Sequence, residues 1–457
     1  MLEQFFSPKS VAIIGASHTP GKIGYSILEN FVRGNFKGKV YPVNPDATPI
    51  FNLAVYPSVK KIPEEVDLVV IAVKAEIVPK ILKECVEKKV KAVIIISGGF
   101  SEIGESGRSL EEKCKKIISK KNIRVIGPNV VGVYDSSTAV DTLFLSRERM
   151  QRPSAGSISF ISQSGAVGST ILDSFSEEKI GISKFISYGN AMDVNEIDLL
   201  EFLANDEKTK TILIYLEGIK SEGKKFISTV KKISKKKPII VLKAGKTERG
   251  NKAVFSHTGS LAGSSKIYSS VFKQTGMIEA DSLEDIFDLV KAFQQPLPKN
   301  NSVAIVTDGG GFGVLATDEA ERQNLQLQGP SKTLKEKLKK SLPSYVILEN
   351  PFDLTGDATA ERYQLVMEEC LKSKEYSGVI AITLFQVPTL NEKITEIIKN
   401  LSNKYNKPIL CCALGGRFTR RLVEFLEAGN IPVYPMPERA VKAFAALVKY
   451  AEFLKKK

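Results

Sequence analysis

A chain of 457 residues, 43% hydrophobic and 25% charged, has room for about three cores at roughly 150 residues per domain. No apolar run approaches the roughly 20 residues of a membrane span, and Met1-Leu2-Glu3-Gln4 does not open a secretory leader, so a cytoplasmic location is expected. The net charge of +14 invites an anionic ligand, but runs such as Lys231-Lys232-Ile233-Ser234-Lys235-Lys236-Lys237 lack the interleaved aromatics that stack bases; neither nucleic acid nor membrane is expected as a partner, and these runs read as solvated helix faces.

From the amino terminus, short β-branched runs alternate with amphipathic, lysine-rich segments, the signature of βαβ units around parallel sheets. Strands are expected at Ser10–Ile14, Lys39–Val43, Leu68–Val73, Ala92–Ile96 and Arg124–Ile126, with helices over Ile77–Lys88 and Leu110–Lys120. This makes a Rossmann-like first domain over 1–130. A second domain, 131–295, runs strand Ser157–Ile161, helix Ala166–Ser176, strand Thr211–Leu216, helix Gly223–Lys235 and strand Pro238–Lys243. After the linker Gln295-Pro296-Leu297-Pro298-Lys299-Asn300-Asn301 comes a third, 296–457, that repeats the second. Ile158 through Gly165 aligns without gaps on Val303 through Gly310, the register continues to Asp173 on Asp318, and Lys237-Pro238-Ile239 is echoed by Lys407-Pro408-Ile409. The fold class is therefore α/β: a Rossmann-like domain followed by two flavodoxin-like domains with parallel sheets. Cys85, Cys114, Cys370, Cys411 and Cys412 show no pairing or metal-ligand spacing and read as reduced core thiols; no metal site is expected.

Only His18 and His257 are histidines, and the second marks where chemistry is expected. It stands in Phe255-Ser256-His257-Thr258-Gly259-Ser260-Leu261-Ala262-Gly263, read as a loop whose small and hydroxylated residues leave room and donors for a phosphoryl group. A satisfied or solvated histidine in a glycine-rich turn is the alternative. Glu217 ends an apolar run, and burying a carboxylate is costly unless it is paired. His257 is the candidate partner, an arrangement that fixes the imidazole tautomer and leaves its other nitrogen nucleophilic. The third domain carries Leu384 and Phe385 at that place and no histidine, so it is expected to be non-catalytic. Ser162-Gln163-Ser164-Gly165, between strand and helix, offers free N–H groups to an anion, or is a turn with an N-cap serine.

In the first domain Gly15-Ala16-Ser17-His18-Thr19-Pro20-Gly21-Lys22-Ile23-Gly24 is not GxGxxG. It is not a Walker A loop either, since Ile23 takes the place of the magnesium-binding hydroxyl. It reads as a phosphate or pyrophosphate cradle at a helix N-terminus, with Lys22 as the point charge, or as a plain tight turn. Asn44-Pro45, Val73-Lys74 and Ser97-Gly98-Gly99 fall at the carboxyl edge where open α/β sheets bind ligands, although each alone is more often an ordinary loop.

In this order the pieces resemble the α subunit of the nucleoside-diphosphate-forming acyl-CoA synthetases, typified by ADP-forming acetyl-CoA synthetase and related to the succinyl-CoA synthetase α subunit. The similarity spans the chain and is marked most specifically by residues 256–263, by residues 15–24 and by Tyr188-Gly189-Asn190. The resemblance implies that His257 becomes a phosphohistidine with Glu217 as its hydrogen-bonding partner, and that Ser164 and Gly165, with Gly259 and Ser260, cradle phosphate. It implies that Gly15, Ser17, Gly21, Lys22, Asn44, Val73, Lys74 and Ser97 line a CoA site, and that Asn129 and Gln163 belong to the acyl pocket. CoA and acyl-CoA are then substrates of a reversible reaction, acyl-CoA + Pi + ADP = carboxylic acid + CoA + ATP, with acetate the expected acid. No ATP-grasp segment is recognisable, so ADP or ATP with Mg2+ is expected on a β subunit, in an α2β2 heterotetramer. The competing readings are a non-catalytic CoA-sensing or acyl-CoA-sensing module, against which Glu217 and His257 speak, and a dinucleotide-dependent dehydrogenase, against which the first turn speaks.

Overall fold

The computed structural model describes residues 2–46, 48–258 and 265–456, and of residues 255–258 the backbone alone. Backbone contacts divide the chain into two units, Met1–Asp281 and Ser282–Lys457. The first unit holds two sheets. β1 (Ser10–Ile14), β2 (Lys39–Val43), β3 (Leu68–Ile71), β4 (Ala92–Ile95) and β5 (Arg124–Ile126) form a parallel sheet in the order β2-β1-β3-β4-β5. Its central strands are buried throughout, which is why they read as unbroken Val/Ile runs rather than alternating ones.

The second sheet contains β6 (Val133–Asp135), β7 (Val140–Asp141), β8 (Ala155–Ser162), β9 (Ile182–Ser187), β10 (Thr211–Leu216), β11 (Ile239–Lys243) and β12 (Ile278–Ala280), ordered β12-β11-β10-β8-β9-β6-β7. The run from β12 to β9 is parallel, while β6 pairs antiparallel with both β9 and β7. The two sheets share one hydrophobic core, in which Ile13, Leu68 and Ile94 join Ile161, Leu200 and Ile214. The Phe6 ring stacks on Phe202 with centroids 5.0 Å apart.

The second unit carries β13 (Ala304–Thr307), β14 (Ile347–Leu348), β15 (Phe352–Asp353), β16 (Val379–Ile382), β17 (Ile409–Cys412) and β18 (Val433–Tyr434) in the order β14-β15-β13-β16-β17-β18. Helix Leu283–Ala292 is part of it: the Arg439 guanidinium, from helix Pro437–Lys455, donates to both Asp288 carboxylate oxygens at 2.7 and 2.6 Å. The repeat read in the sequence is present in space. Helices Gly165–Glu177 and Gly310–Arg322 start at the aligned glycines, following β8 and β13.

Some boundaries differ from the sequence reading for local reasons. β3 stops at Ile71 rather than Val73, whose carbonyl accepts the Ser97 hydroxyl instead of a ladder bond. The helix expected from Leu110 already begins at Glu105; Glu105-Ser106-Gly107-Arg108-Ser109 carry no apolar periodicity by which the sequence would show it. All five cysteines are buried and free, and burial pushes the Cys114 and Cys412 thiols up to about 12. Among the described residues no helix is long and apolar enough to cross a membrane.

Candidate active site

Ligands of open α/β sheets bind where the strand order reverses, and in the first sheet that place lies between β1 and β3. Gly15 directly follows β1 with φ +89°, and a Cβ there would stand 2.3 Å from the Ala72 carbonyl oxygen. Only glycine lets this turn close against the end of β3. The Gly15 N–H donates to Val43 O at 3.0 Å. Asn44 Nδ2 donates to Ala16 O at 2.7 Å, the Ser97 hydroxyl donates to Val73 O, and the Asn129 N–H donates to Ser97 O at 2.9 Å. Gly15, Asn44, Val73, Ser97 and Asn129 thus lie side by side along one carboxyl edge. Ser17 accepts the Thr19 N–H at 3.1 Å, and Gly21 adopts φ +84°. Lys22, at the N-cap of helix Ile23–Arg33, and Lys74 are both exposed at this edge. His18 is exposed too, with its Nε2 2.8 Å from Thr48 Oγ1.

In the second sheet the reversal lies between β8 and β10. Ser164 caps helix Gly165–Glu177 by accepting the Val167 N–H at 3.3 Å. The N–H groups of Gly165 and Ala166 find no acceptor among the described residues. On the neighbouring strand, Glu217 follows β10 and is 5% exposed. Gln163 Oε1 accepts the N–H groups of Glu217 and Gly218 at 2.8 and 3.0 Å, while its buried Nε2 has no partner among the described residues. Burial first, then the neighbouring Glu217 carboxylate, push the Tyr215 phenol up to about 12. The sequence reading missed Tyr215, although residues two apart on a strand share a face.

The two crevices are joined through Tyr188-Gly189-Asn190. The Tyr188 N–H donates to Ser162 O at 3.0 Å, and a Cβ on Gly189 would fall 2.3 Å from the Asn129 carbonyl oxygen. Asn190 Nδ2 reaches Glu102 Oε2 at 2.6 Å and Glu111 Oε2 at 3.1 Å. Burial alone would raise the Glu102 carboxyl; Asn190 and the N–H groups of Gly99 and Phe100 outweigh it and hold it below the usual range.

His257 is not in a loop at the level of the backbone. Helix Glu248–Thr258 runs through it, carried by the helix-compatible stretch Lys252-Ala253-Val254-Phe255. Its side chain lies outside the described residues, as do Gly259 and Ser260, so the expected pairing with Glu217 and the phosphate cradle at those two positions lie there too. That helix packs beside the Ser101–Ile103 turn, which carries Glu102.

Several supporting side chains went unread in the sequence. The Ile219 N–H donates to the Tyr268 hydroxyl at 3.4 Å, and the N–H groups of Lys220 and Ser221 donate to Glu196 Oε1 at 3.0 and 2.9 Å. A buried N–H left unmet costs about 1–3 kcal/mol, so these bonds fix the strand exit. Lys243, 3% exposed, donates from Nζ to the Glu217 carbonyl at 2.8 Å. The available signal was a lysine closing an apolar strand.

Comparison with known proteins places both sheets of the first unit in known domain families. A CoA binding domain matches residues 9–136, and a succinyl-CoA ligase like flavodoxin domain matches residues 155–293. The α subunit of acetate–CoA ligase [ADP-forming] I of Pyrococcus furiosus is 42% identical over 99% of this chain and 98% of its own. The acetate–CoA ligase [ADP-forming] of Methanocaldococcus jannaschii is 43% identical over 97% of this chain, which spans 62% of that longer protein. The structure of dinucleotide-forming acetyl-coenzyme A synthetase 1 from Ca. Korarchaeum cryptofilum, in complex with phosphate and ADP, matches with a TM-score of 0.93 at 37% identity, over 99% of this chain and 97% of that one. This chain belongs to the family of ADP-forming acetate–CoA ligase α subunits.

Proposed function

We propose that the chain, with an ATP-grasp β subunit in a cytoplasmic α2β2 assembly, interconverts acetyl-CoA, phosphate and ADP with acetate, CoA and ATP. The observation that carries this reading is that one segment joins the strand-order reversals of the two sheets. Glu217, Gln163 and the N-terminus of helix Gly165–Glu177 meet at one strand-order reversal. Tyr188-Gly189-Asn190 link them to the edge lined by Gly15, Asn44, Val73 and Ser97. A thioester bound along that edge, with Lys22 and Lys74 meeting CoA phosphates, would present its acyl group near Asn129 and Gln163.

The chemistry runs in three balanced steps. A phosphate oxygen attacks the thioester carbonyl and the C–S bond breaks, giving acetyl phosphate and CoA. An imidazole nitrogen of His257 then attacks phosphorus and the P–O bond to acetate breaks. Finally the ADP β-phosphate oxygen attacks phosphorus, the N–P bond breaks, and ATP leaves. Dividing one difficult transfer into easier ones is the advantage of a covalent intermediate. Helix N–H groups at Gly165 and Ala166, together with Ser164, Gly259 and Ser260, hold the phosphoryl oxygens as charge shifts. Glu217 orients the imidazole. Mg2+ accompanies the nucleotide on the partner, and the greater length of the Methanocaldococcus relative supports a nucleotide site supplied from outside this region.

The test is ATP synthesis from acetyl-CoA, phosphate and ADP by the chain paired with its β subunit. His257→Ala should abolish it while CoA still binds. Wild-type ATP synthesis by that variant would rule out the phosphohistidine route.

A further inference from the structure

Five successive peptide N–H groups after β10 donate to side chains from elsewhere: Glu217 and Gly218 to Gln163, Ile219 to the Tyr268 hydroxyl, and Lys220 and Ser221 to Glu196. The Glu217 carbonyl is taken as well, by Lys243 Nζ at 2.8 Å. These side chains come from separate elements. Gln163 follows β8, Glu196 opens helix Glu196–Asn205, Lys243 ends β11, and Tyr268 lies on helix Ser265–Thr275. Lys243 and Tyr268 are themselves coupled, with the ammonium 4.7 Å from the ring centroid. Glu196, fully buried, gives one carboxylate oxygen to two N–H groups and the Ser221 hydroxyl, at 3.0, 2.9 and 2.7 Å.

Turn chemistry alone would not need a buried cation here. A leucine at 243 would fill the space but leave the Glu217 carbonyl bare and remove the charge stacked on Tyr268. We propose that Lys243 and Tyr268, with Glu196 anchoring the far end of the loop, are positioning residues that hold Glu217 in place for phosphoryl transfer. The proposal rests on the reading of His257 as the phosphoryl carrier. Tyr268, on helix Ser265–Thr275, and Lys243, at the end of β11, tie the loop bearing Glu217 to two further elements.

Burial pushes the Lys243 ammonium down to about 8; Glu217 opposes that and Lys246 adds to it. The groups that face it are Glu217 beyond β10, Lys246 beyond β11 and Tyr268 on its helix. The ammonium is therefore charged at neutral pH and loses its proton through about pH 8, taking the stacked cation with it.

The experiment measures the rate at which labelled ATP and Mg2+ phosphorylate the chain in complex with its β subunit, across pH, beside CoA affinity. Lys243→Met should slow labelling about tenfold at neutral pH with CoA affinity held within about twofold. Tyr268→Phe keeps the ring but drops the hydroxyl that accepts the Ile219 N–H, and should slow labelling about threefold. Lys243→Arg should restore labelling and move the alkaline limb upward by more than about one pH unit, since guanidinium stays charged. Wild-type labelling in both Lys243→Met and Tyr268→Phe, or an alkaline limb unmoved in Lys243→Arg, overturns the proposal. If Lys243→Met loses CoA binding through misfolding, Tyr268→Phe and Lys243→Arg decide it. An unlabelled wild-type complex overturns the phosphohistidine reading itself, and the positioning proposal with it.

Discussion

Gln163 and Asp308 occupy the same place in the two repeated domains, and the difference between them separates the copies. Each accepts the N–H of the residue that leaves the neighbouring strand, Glu217 in one and Leu384 in the other. Asp308 is 4% exposed, and burial pushes its carboxyl up to about 6 against the help of the Leu384 N–H. A folded value above the unfolded one means that the neutral form is favoured in the fold. Its contribution to stability is complete below the unfolded value of 3.8 and is lost as pH rises through about 6. Asp308→Asn, which keeps an acceptor for Leu384, should therefore gain about 2 kcal/mol above pH 7 and match the wild type near pH 4, as read by denaturant unfolding at the two values. An equal effect at both would show that the carboxyl is not strained by burial. At the first crevice, Lys22→Ala should weaken CoA binding about tenfold without slowing phosphorylation from ATP. Unchanged CoA affinity in a titration would remove Lys22 from that site.

At the scale of elements, what was legible follows from how each element is buried. Parallel strands with both faces covered read as continuous apolar runs, and β1, β2, β5 and β10 have the bounds their sequence suggests. β6, β7 and β9 were not read because they carry charges inside the sheet. Asp141 on β7 is paired by Arg152 at 3.0 Å, and Asp135 on β6 by Lys184 of β9 at 3.3 Å. The partners lie far enough along the chain that each run looks like a turn. The candidate site divides the same way. Gly15 and Ser164 announce themselves through local turn and cap chemistry, whereas Glu196, Lys243 and Tyr268 act across long sequence separations that no local pattern records. Helix Leu283–Ala292 shows how much one such contact carries. Burial raises the Asp288 carboxyl, and Arg439 counters it. Arg439→Met should cost about 3 kcal/mol by stranding that carboxylate, visible as faster hydrogen exchange in the helix. Unaltered protection would assign the helix's stability to its apolar face instead.

Over the whole molecule, a duplicated flavodoxin-like domain has kept its strand order and its helix start while only one copy retains Glu217 and His257. The other presents Leu384 and Phe385. The net charge of +14 suits a chain whose proposed ligands, CoA, phosphate and nucleotide, are all anions. Phosphoryl transfer through His257 is the step on which the proposed reaction depends. The most direct measurement is labelling of the chain by radioactive ATP and Mg2+, with and without its β subunit, with the bond classified by its stability to acid and base. Acid-labile, base-stable label that requires the β subunit and vanishes in His257→Ala is the predicted result. A chain that binds CoA yet takes no label under either condition would contradict the account and leave a CoA-sensing module.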